Sequence, residues 1–72
     1  MLIYAQDRRT VINLDVTPFL ATHPTRNEIY CGVKENKGVL IGKYATEERT
    51  AEVLENIWEH YLDGVSYIMP IE

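Results

Sequence analysis

The sequence predicts an α+β fold, in which a small antiparallel sheet of four or five short strands packs against one long C-terminal helix, followed by a short terminal strand. Residues 2–44 contain short apolar segments with period-two alternation, which is typical of strands. Residues 46–64 carry apolar side chains at helical spacing between a helix start signal and a stop signal. A chain of 72 residues has room for one domain, which we place at residues 1–72.

The first two strands form a predicted hairpin. They span Leu2–Gln6 and Thr10–Asp15. Asp7 opens the turn between them, because its carboxylate can accept hydrogen bonds from the backbone amides that follow. With the turn at Arg8–Arg9, the predicted core-facing pairs are Ala5 with Ile12 and Ile3 with Leu14.

A less regular region follows this hairpin. Val16–Ala21 is apolar but contains Pro18, which cannot donate to a strand ladder, so we predict an edge strand or an irregular connection. Thr22–Asn27 has the composition of a loop.

A second predicted hairpin joins "EIYCGVK", residues 28–34, to "VLIGKY", residues 39–44. The first segment alternates clearly, with Ile29 and Cys31 pointing to one face. A two-residue turn at Asn36–Lys37 predicts three pairs, which are Val33 with Leu40, Cys31 with Gly42, and Ile29 with Tyr44.

The helix has clear signals at both ends. Thr46 is a predicted N-cap, Glu47 and Glu48 complement the positive end of the helix dipole, and Gly64 suits the left-handed position after the last turn. The segment "VSYIMP" after the helix is predicted to form a last short strand, which Pro70 ends. The stripe predicted to pack on the sheet is Thr50, Ala51, Leu54, Ile57, Trp58 and Tyr61.

One helix covers one face of a sheet, so these registers leave a second apolar face uncovered. Its members are Leu2, Tyr4, Val11, Tyr30, Val39 and Ile41. We expect an interface between copies of the chain here, with Leu2, Val11, Val39 and Ile41 as interface residues. Two alternatives are a site for a ligand or partner and an error in the predicted register.

Composition and charge restrict the function classes. The net charge of −4 argues against a duplex nucleic-acid binder, since such proteins are normally basic. No apolar run approaches the roughly 18 residues that span a membrane, and the first residues lack the features of a signal peptide, so we expect a soluble cytoplasmic protein. A single cysteine excludes an internal disulfide, which leaves homo-oligomerisation as the expected source of additional stability.

We predict no catalytic residue, no metal site, no cofactor and hence no enzyme. Asp7, Asp15 and His23 do not form a recognisable catalytic triad, and the chain has no glycine-rich phosphate loop. Cys31 alternates with apolar neighbours, which favours a buried structural thiol over a nucleophile.

Arginines and tyrosines are the candidate ligand-binding residues. Arginine matches the geometry of phosphate, and a tyrosine on a sheet can stack on a base. Ordinary surface charge and core packing are the alternatives. The candidates are Tyr4, Arg8, Arg9, Arg26, Tyr30 and Arg49.

Four glutamates follow one side of the predicted helix at steps of 4, 3 and 4 residues. We call Glu48, Glu52, Glu55 and Glu59 the acidic row. A solvated surface is the main interpretation, and the alternatives are a surface that mimics phosphate in a basic groove of a partner and a divalent-metal site.

The chain has "QD" at residues 6–7 after the first strand, "IN" at residues 12–13 in the second, and "IGKYATEERTAEVLENI" at residues 41–57. This pattern resembles small proteins of unknown activity encoded by phages and prophages of Gram-positive bacteria. That group has a "SQD"-like start, a short sheet and an "lGeYsTeEkA" helix entry, and here Ala5 stands where the group often has serine. The matching positions are Gln6, Asp7, Asn13, Gly42, Tyr44, Thr46, Glu47, Glu48 and Arg49.

The resemblance implies a viral accessory protein that acts in the cytoplasm of the host cell. By a weaker analogy to phage proteins that sequester immune signals, the leading hypothesis is an oligomer that binds a cyclic nucleotide or similar anionic small molecule to counter host defence. A second hypothesis is an inhibitor of a host defence protein that acts through the acidic helix face. The third is a structural or regulatory phage protein with neither role.

Overall fold

The computed structural model describes residues 1–16, 19–23, 26–32 and 38–72, and their architecture confirms the α+β class. The elements, in chain order, are β1 (Leu2–Tyr4), β2 (Val11–Asn13), a 3-10 helix (Leu14–Val16), β3 (Phe19–His23), β4 (Glu28–Gly32), β5 (Gly38–Lys43), α1 (Glu47–Asp63) and β6 (Tyr67–Ile68).

The described strands form two three-stranded sheets where the sequence predicted one. In the N-terminal sheet the order is β2-β1-β6, with β2 antiparallel and β6 parallel to β1. In the central sheet the order is β3-β4-β5, and both pairs are antiparallel. One hydrophobic core draws side chains from both sheets and from α1.

Gln6 joins the two sheets. Its backbone amide donates to the carbonyl of Ile41 at 2.9 Å. Its side-chain amide then pairs with the backbone of Lys43 as a peptide group would, since Nε2 donates to the Lys43 carbonyl at 2.8 Å and Oε1 accepts from the Lys43 amide at 2.7 Å. One side chain therefore extends the hydrogen bonding of β5 toward the end of β1.

The first hairpin is present, but its register differs from the predicted one by two residues. Ile3 pairs with Ile12, and the amide of Ala5 donates to the carbonyl of Thr10 across a wider loop. Arg8 in that loop has a positive φ of 60°, and Asp7 accepts from the amide of Arg9 as predicted. A shift of two residues keeps the side chains of β1 and β2 on their predicted faces.

The predicted register of the second hairpin is wrong. Ile29 pairs with Gly42 instead of Tyr44, and Cys31 pairs with Val39 instead of Gly42. The offset grows by one residue between these pairs because Ile41 is an extra residue on β5 between two ladder pairs. The bulge turns Ile41 into the core, where its side chain is 2% exposed, so its predicted place on the uncovered face is also wrong. The predicted turn at Asn36–Lys37 lies outside the described residues.

The irregular region resolves into two elements. Val16 ends the 3-10 helix. The strand β3 that follows is an edge strand of the central sheet, which confirms the first of the two predicted alternatives. Thr22 and His23 pair with β4 and belong to the strand, whereas the prediction placed them in a loop. Pro18 lies outside the described residues.

The predicted ends of the helix are confirmed. The hydroxyl of Thr46 accepts from the amide of Arg49 at 3.0 Å. Gly64 follows the last turn with φ of 71°, where a residue with a Cβ atom would be strained. Both termini of α1 are therefore fixed by local chemistry that the sequence specifies.

The buried face of α1 is rotated from the predicted one. Thr50, Val53 and Ile57 are buried, and we call them the inner stripe. Val53, which the prediction omitted, is a core residue, whereas the predicted core residues Trp58 and Tyr61 are exposed. Ala51 is exposed as well and Leu54 is half-buried.

Candidate functional site

Arg8 is held by the protein's own backbone. Its Nη1 donates to the carbonyl of Ala5 at 3.1 Å and to that of Met69 at 2.8 Å. Its guanidinium lies 5.2 Å from the ring centroid of Tyr4, whose hydroxyl donates to the Arg8 carbonyl. Arg8 was predicted to lie at the turn of the first hairpin as a candidate ligand-binding residue, but it is half-buried and its Nη1 is engaged by two carbonyls of the protein.

Arg49 is engaged in the same way at the start of α1. Its Nε and Nη2 donate to the backbone carbonyl of Glu72 at 3.1 and 2.8 Å, and its Nη1 forms an ion pair with Glu52. The guanidinium also lies 5.9 Å from the centroid of the Tyr44 ring. An anion would have to replace these internal acceptors.

Together these side chains hold the C-terminal segment, residues 69–72, by its backbone. Its four consecutive carbonyls accept from Arg8, Tyr44, Gln6 and Arg49, in that order along the segment. We call these four donors the carbonyl clamp. Burial raises the pKa of Tyr44 to about 12, and its hydroxyl therefore stays protonated and donates to Pro70 at 2.9 Å.

Arg26 and Tyr30 form another group, on the central sheet. The hydroxyl of Tyr30 donates to Oε1 of Glu28 at 2.7 Å, and this bond is the main cause of a raised pKa of Tyr30, which the nearby Arg26 partly opposes. Arg26 is exposed, and so is Arg9 at the first hairpin. By their contacts, the six candidate ligand-binding residues thus fall into separate groups, two of which contain a carboxylate: Glu28 beside Tyr30 and Glu52 beside Arg49.

The outward face of the N-terminal sheet is apolar, as the sequence indicated for Leu2, Tyr4 and Val11. Tyr4 pairs with Val11 on one side and with Ile68 on the other, so these three exposed side chains form a row across the sheet. The prediction missed Ile68. Val39 is exposed on the central sheet, whereas Ile41 is buried, so the predicted interface residues do not share one face.

A second exposed apolar surface lies on α1. Ala51, Leu54, Trp58, Tyr61 and Leu62 follow one side of the helix, and we call them the outer stripe. Trp58 is 57% exposed and Tyr61 is 43% exposed. Their rings stack at a centroid distance of 6.0 Å and an interplanar angle of 15°. The pair therefore presents a preformed aromatic surface to solvent.

The outer stripe borders the acidic row. All four glutamates of the row are exposed. Among the described residues, Arg49 is the one basic side chain that forms an ion pair with the row, through Glu52. On a helix that turns about 100° per residue, Glu48 and Glu55 lie beside the outer stripe, while the inner stripe borders its other side.

The sequence contained a signal for the outer stripe that the prediction did not use. Apolar side chains occur at positions 51, 53, 54, 57, 58, 61 and 62 of α1. Projected on the helix, they cover too wide an arc for one buried stripe, so part of the set had to face solvent. Because the prediction assigned all of its apolar stripe to the core, it missed Trp58 and Tyr61 as candidate binding residues.

The remaining chemistry is sparse in the part of the chain that the structure describes. Cys31 is buried, and burial raises the pKa of its thiol, which is the environment of an inert cysteine. The described residues contain no group of three or more potential metal-ligating side chains. Within the same residues, no helix has the length and apolar character needed to cross a membrane.

Comparisons with protein-family models, curated proteins and solved structures find no match to this chain.

Proposed function

We propose that this protein is a non-enzymatic binding protein that docks on a partner protein through the outer stripe of α1. The observation that carries the proposal is the stacked pair of Trp58 and Tyr61, exposed on a helix whose adjoining stripe is buried in the core. Tryptophan and tyrosine are the residues that most often dominate the binding energy of protein interfaces.

The acidic row supports the same function. Exposed charges beside an apolar patch steer the encounter of two proteins and exclude partners of the same sign. Three of the four glutamates lie outside the ion pair with Arg49, which leaves their carboxylates available for basic groups of a partner.

The resemblance to phage-encoded proteins suggests the setting. In that setting the partner is a host protein, and a host defence protein inhibited by the docked helix is the specific form of the proposal. The site of action is then the cytoplasm of the host cell.

Affinity capture tests this function. The tagged protein is incubated with lysate of a Gram-positive host, and the retained proteins are quantified by mass spectrometry for the wild type and for Trp58→Ala. The matched control is Val11→Ser, which changes an equally exposed apolar residue on the N-terminal sheet. We expect a protein retained by wild type and Val11→Ser but lost by Trp58→Ala; equal retention by all three would contradict the proposal.

Sequestration of a nucleotide-derived signal by an oligomer is the alternative proposal. Its support is the exposure of Arg9 and Arg26 and the apolar row on the N-terminal sheet, which could join two copies. Arg8 and Arg49 support it less, since they hold the C-terminal segment. A thermal-shift panel of cyclic nucleotides and cyclic ADP-ribose isomers, with native mass spectrometry, tests it, because a tight ligand raises the apparent stability. A structural or regulatory phage protein remains the third hypothesis.

A further inference from the structure

We propose that the partner segment of the outer stripe is an amphipathic helix with lysine or arginine along the flank that faces the acidic row. This inference rests on the proposed function and adds the chemistry of the partner. It is carried by three features of α1, which are the spacing of the stripe, the difference between its two flanks and the sign of its charge.

The spacing of the outer stripe suits a second helix. Ala51, Leu54, Trp58 and Tyr61 are separated by 3, 4 and 3 residues, which is the repeat of a seam between two packed helices. The small side chain of Ala51 and the ridge of stacked rings at Trp58 and Tyr61 give such a seam both a hole and knobs. An apolar partner stripe with the same repeat would bury both aromatic rings.

The two flanks of this seam differ. On one flank, Glu48 and Glu55 are exposed beside the stripe, with the rest of the acidic row behind them. On the other flank, Thr50 and Ile57 are buried in the protein's own core. A partner helix therefore meets carboxylates along one side only, and its basic residues are required on that side.

A second copy of this chain fits the seam less well. If two copies paired antiparallel about a twofold axis, the same flank of each helix would meet, which brings Glu55 against its own counterpart. A parallel pair would require the flank that holds Thr50 and Ile57, which is already buried. Like charges across a helix pair are destabilising, and the same argument disfavours an anionic membrane surface.

Trp58 makes the inference directly measurable, because it is the only tryptophan in the sequence. The probe is a designed helical peptide without tryptophan, with leucines at the 3-4 repeat and lysines along both flanks, titrated into the full chain. We expect the emission of Trp58 to shift to shorter wavelength and to saturate. One control peptide carries glutamates in place of the lysines, and we expect it to bind at least about tenfold more weakly. A second control has the lysine peptide's composition in scrambled order, and we expect it to produce no shift.

Two variants of the protein sharpen the test. Glu55→Lys places a positive charge beside the seam. We expect this variant to bind the lysine peptide about fivefold more weakly than wild type and to bind the glutamate peptide more tightly. Asp63→Lys makes the same change of charge further round the exposed side of the helix, and we expect a smaller effect.

Four results would overturn the inference. If the glutamate peptide bound as tightly as the lysine peptide, basic residues on the flank would not be needed for binding. If the scrambled peptide did so, the 3-4 repeat of leucines would not be needed. A homodimer in native mass spectra that Trp58→Ala abolishes would identify a second copy as the occupant. No emission shift with any peptide would reject a basic helix, while the proposed function would still stand if capture from lysate depends on Trp58.

Discussion

Helix α1 has two apolar stripes with nearly the same spacing and opposite environments. The inner stripe is buried, with Val53 and Ile57 in the core and α1 in contact with β3 and β4, and the carbonyl clamp engages four backbone carbonyls in a row. Among the described residues, every buried side-chain nitrogen and oxygen has a hydrogen-bond partner. The outer stripe leaves a tryptophan and a tyrosine in water.

The different exposure of the two stripes assigns folding to one side of α1 and binding to the other. The carbonyl clamp accounts for two of the six residues that the sequence indicated as ligand-binding, because Arg8 and Arg49 hold the C-terminal segment. Within the outer stripe, Leu54 packs against the core, whereas the exposed side chains contribute little that the fold needs. We therefore expect substitutions on the two sides to have effects of different size and kind.

The largest effect is expected from Ile57→Ala on the inner stripe. Ile57 is fully buried, so truncation removes its transfer free energy and leaves a cavity, at a cost of about 3 kcal/mol in the free energy of unfolding. Urea denaturation followed by circular dichroism measures the change. A loss below about 1 kcal/mol would mean that this side of the helix is not core.

Gly42→Ala tests the packing beneath the carbonyl clamp. A Cβ atom at Gly42 would lie 2.7 Å from Cε of Met69 and 2.9 Å from Cε2 of Tyr44, so both side chains would have to move. We expect a loss of about 2 kcal/mol, measured by urea denaturation. Gly38→Ala is the control with less crowding, since its nearest neighbour is the Cβ of Tyr30 at 3.3 Å.

Tyr44→Phe removes one donor of the carbonyl clamp and keeps the ring. The carbonyl of Pro70 loses its hydrogen bond from the hydroxyl, and we expect a cost of about 1 kcal/mol at neutral pH, measured by denaturation. Tyr61→Phe changes an exposed tyrosine of the outer stripe and should leave stability unchanged.

The same residue predicts a loss of stability at alkaline pH. Burial raises the folded-state pKa of Tyr44 to about 12 from 10.0, so the folded state favours the protonated hydroxyl. This contribution is complete below pH 10.0 and is lost as the pH rises through about 12. Melting temperatures measured across this range should fall less for Tyr44→Phe than for wild type. The raised pKa of Tyr67, also due first to burial, leaves part of the fall in both proteins. Equal falls in both would show that Tyr44 does not titrate in this way.

The smallest effect on stability is expected from Trp58→Ala on the outer stripe. Most of the side chain is already exposed, and alanine has the higher helix propensity, so the free energy of unfolding should change by no more than about 0.5 kcal/mol. The same denaturation series measures it. A loss comparable to that of Ile57→Ala would remove the distinction between the two stripes.

Local chemistry made part of the fold predictable from sequence. Thr46 and Gly64 fix the ends of α1 through a side-chain cap and a left-handed residue, and neither depends on distant contacts. The faces of the first hairpin were also predictable, because alternation survives a register shift of two residues. Asp7 at the turn belongs to the same class of local signal.

The rest depends on contacts that periodicity does not encode. The bulge at Ile41 buries a side chain that simple alternation places outside. The two sheets are joined by the side chain of Gln6, which pairs with Lys43 as a peptide group would. Alternation along the strands does not show such a junction, and the sequence therefore predicted a single sheet. Trp58 and Tyr61 fit a buried stripe as well as Val53 does, and only the packed structure decides which of them the sheets cover.

Collisional quenching of Trp58 fluorescence by acrylamide tests the central claim most directly, since it reports on the outer stripe of the full chain without a partner. We expect strong quenching in the native state, at a rate that is a large fraction of that in the urea-unfolded chain, and protection when the lysine peptide is bound. A native Trp58 shielded from acrylamide at every protein concentration would mean that the chain covers its own outer stripe, and would contradict the account.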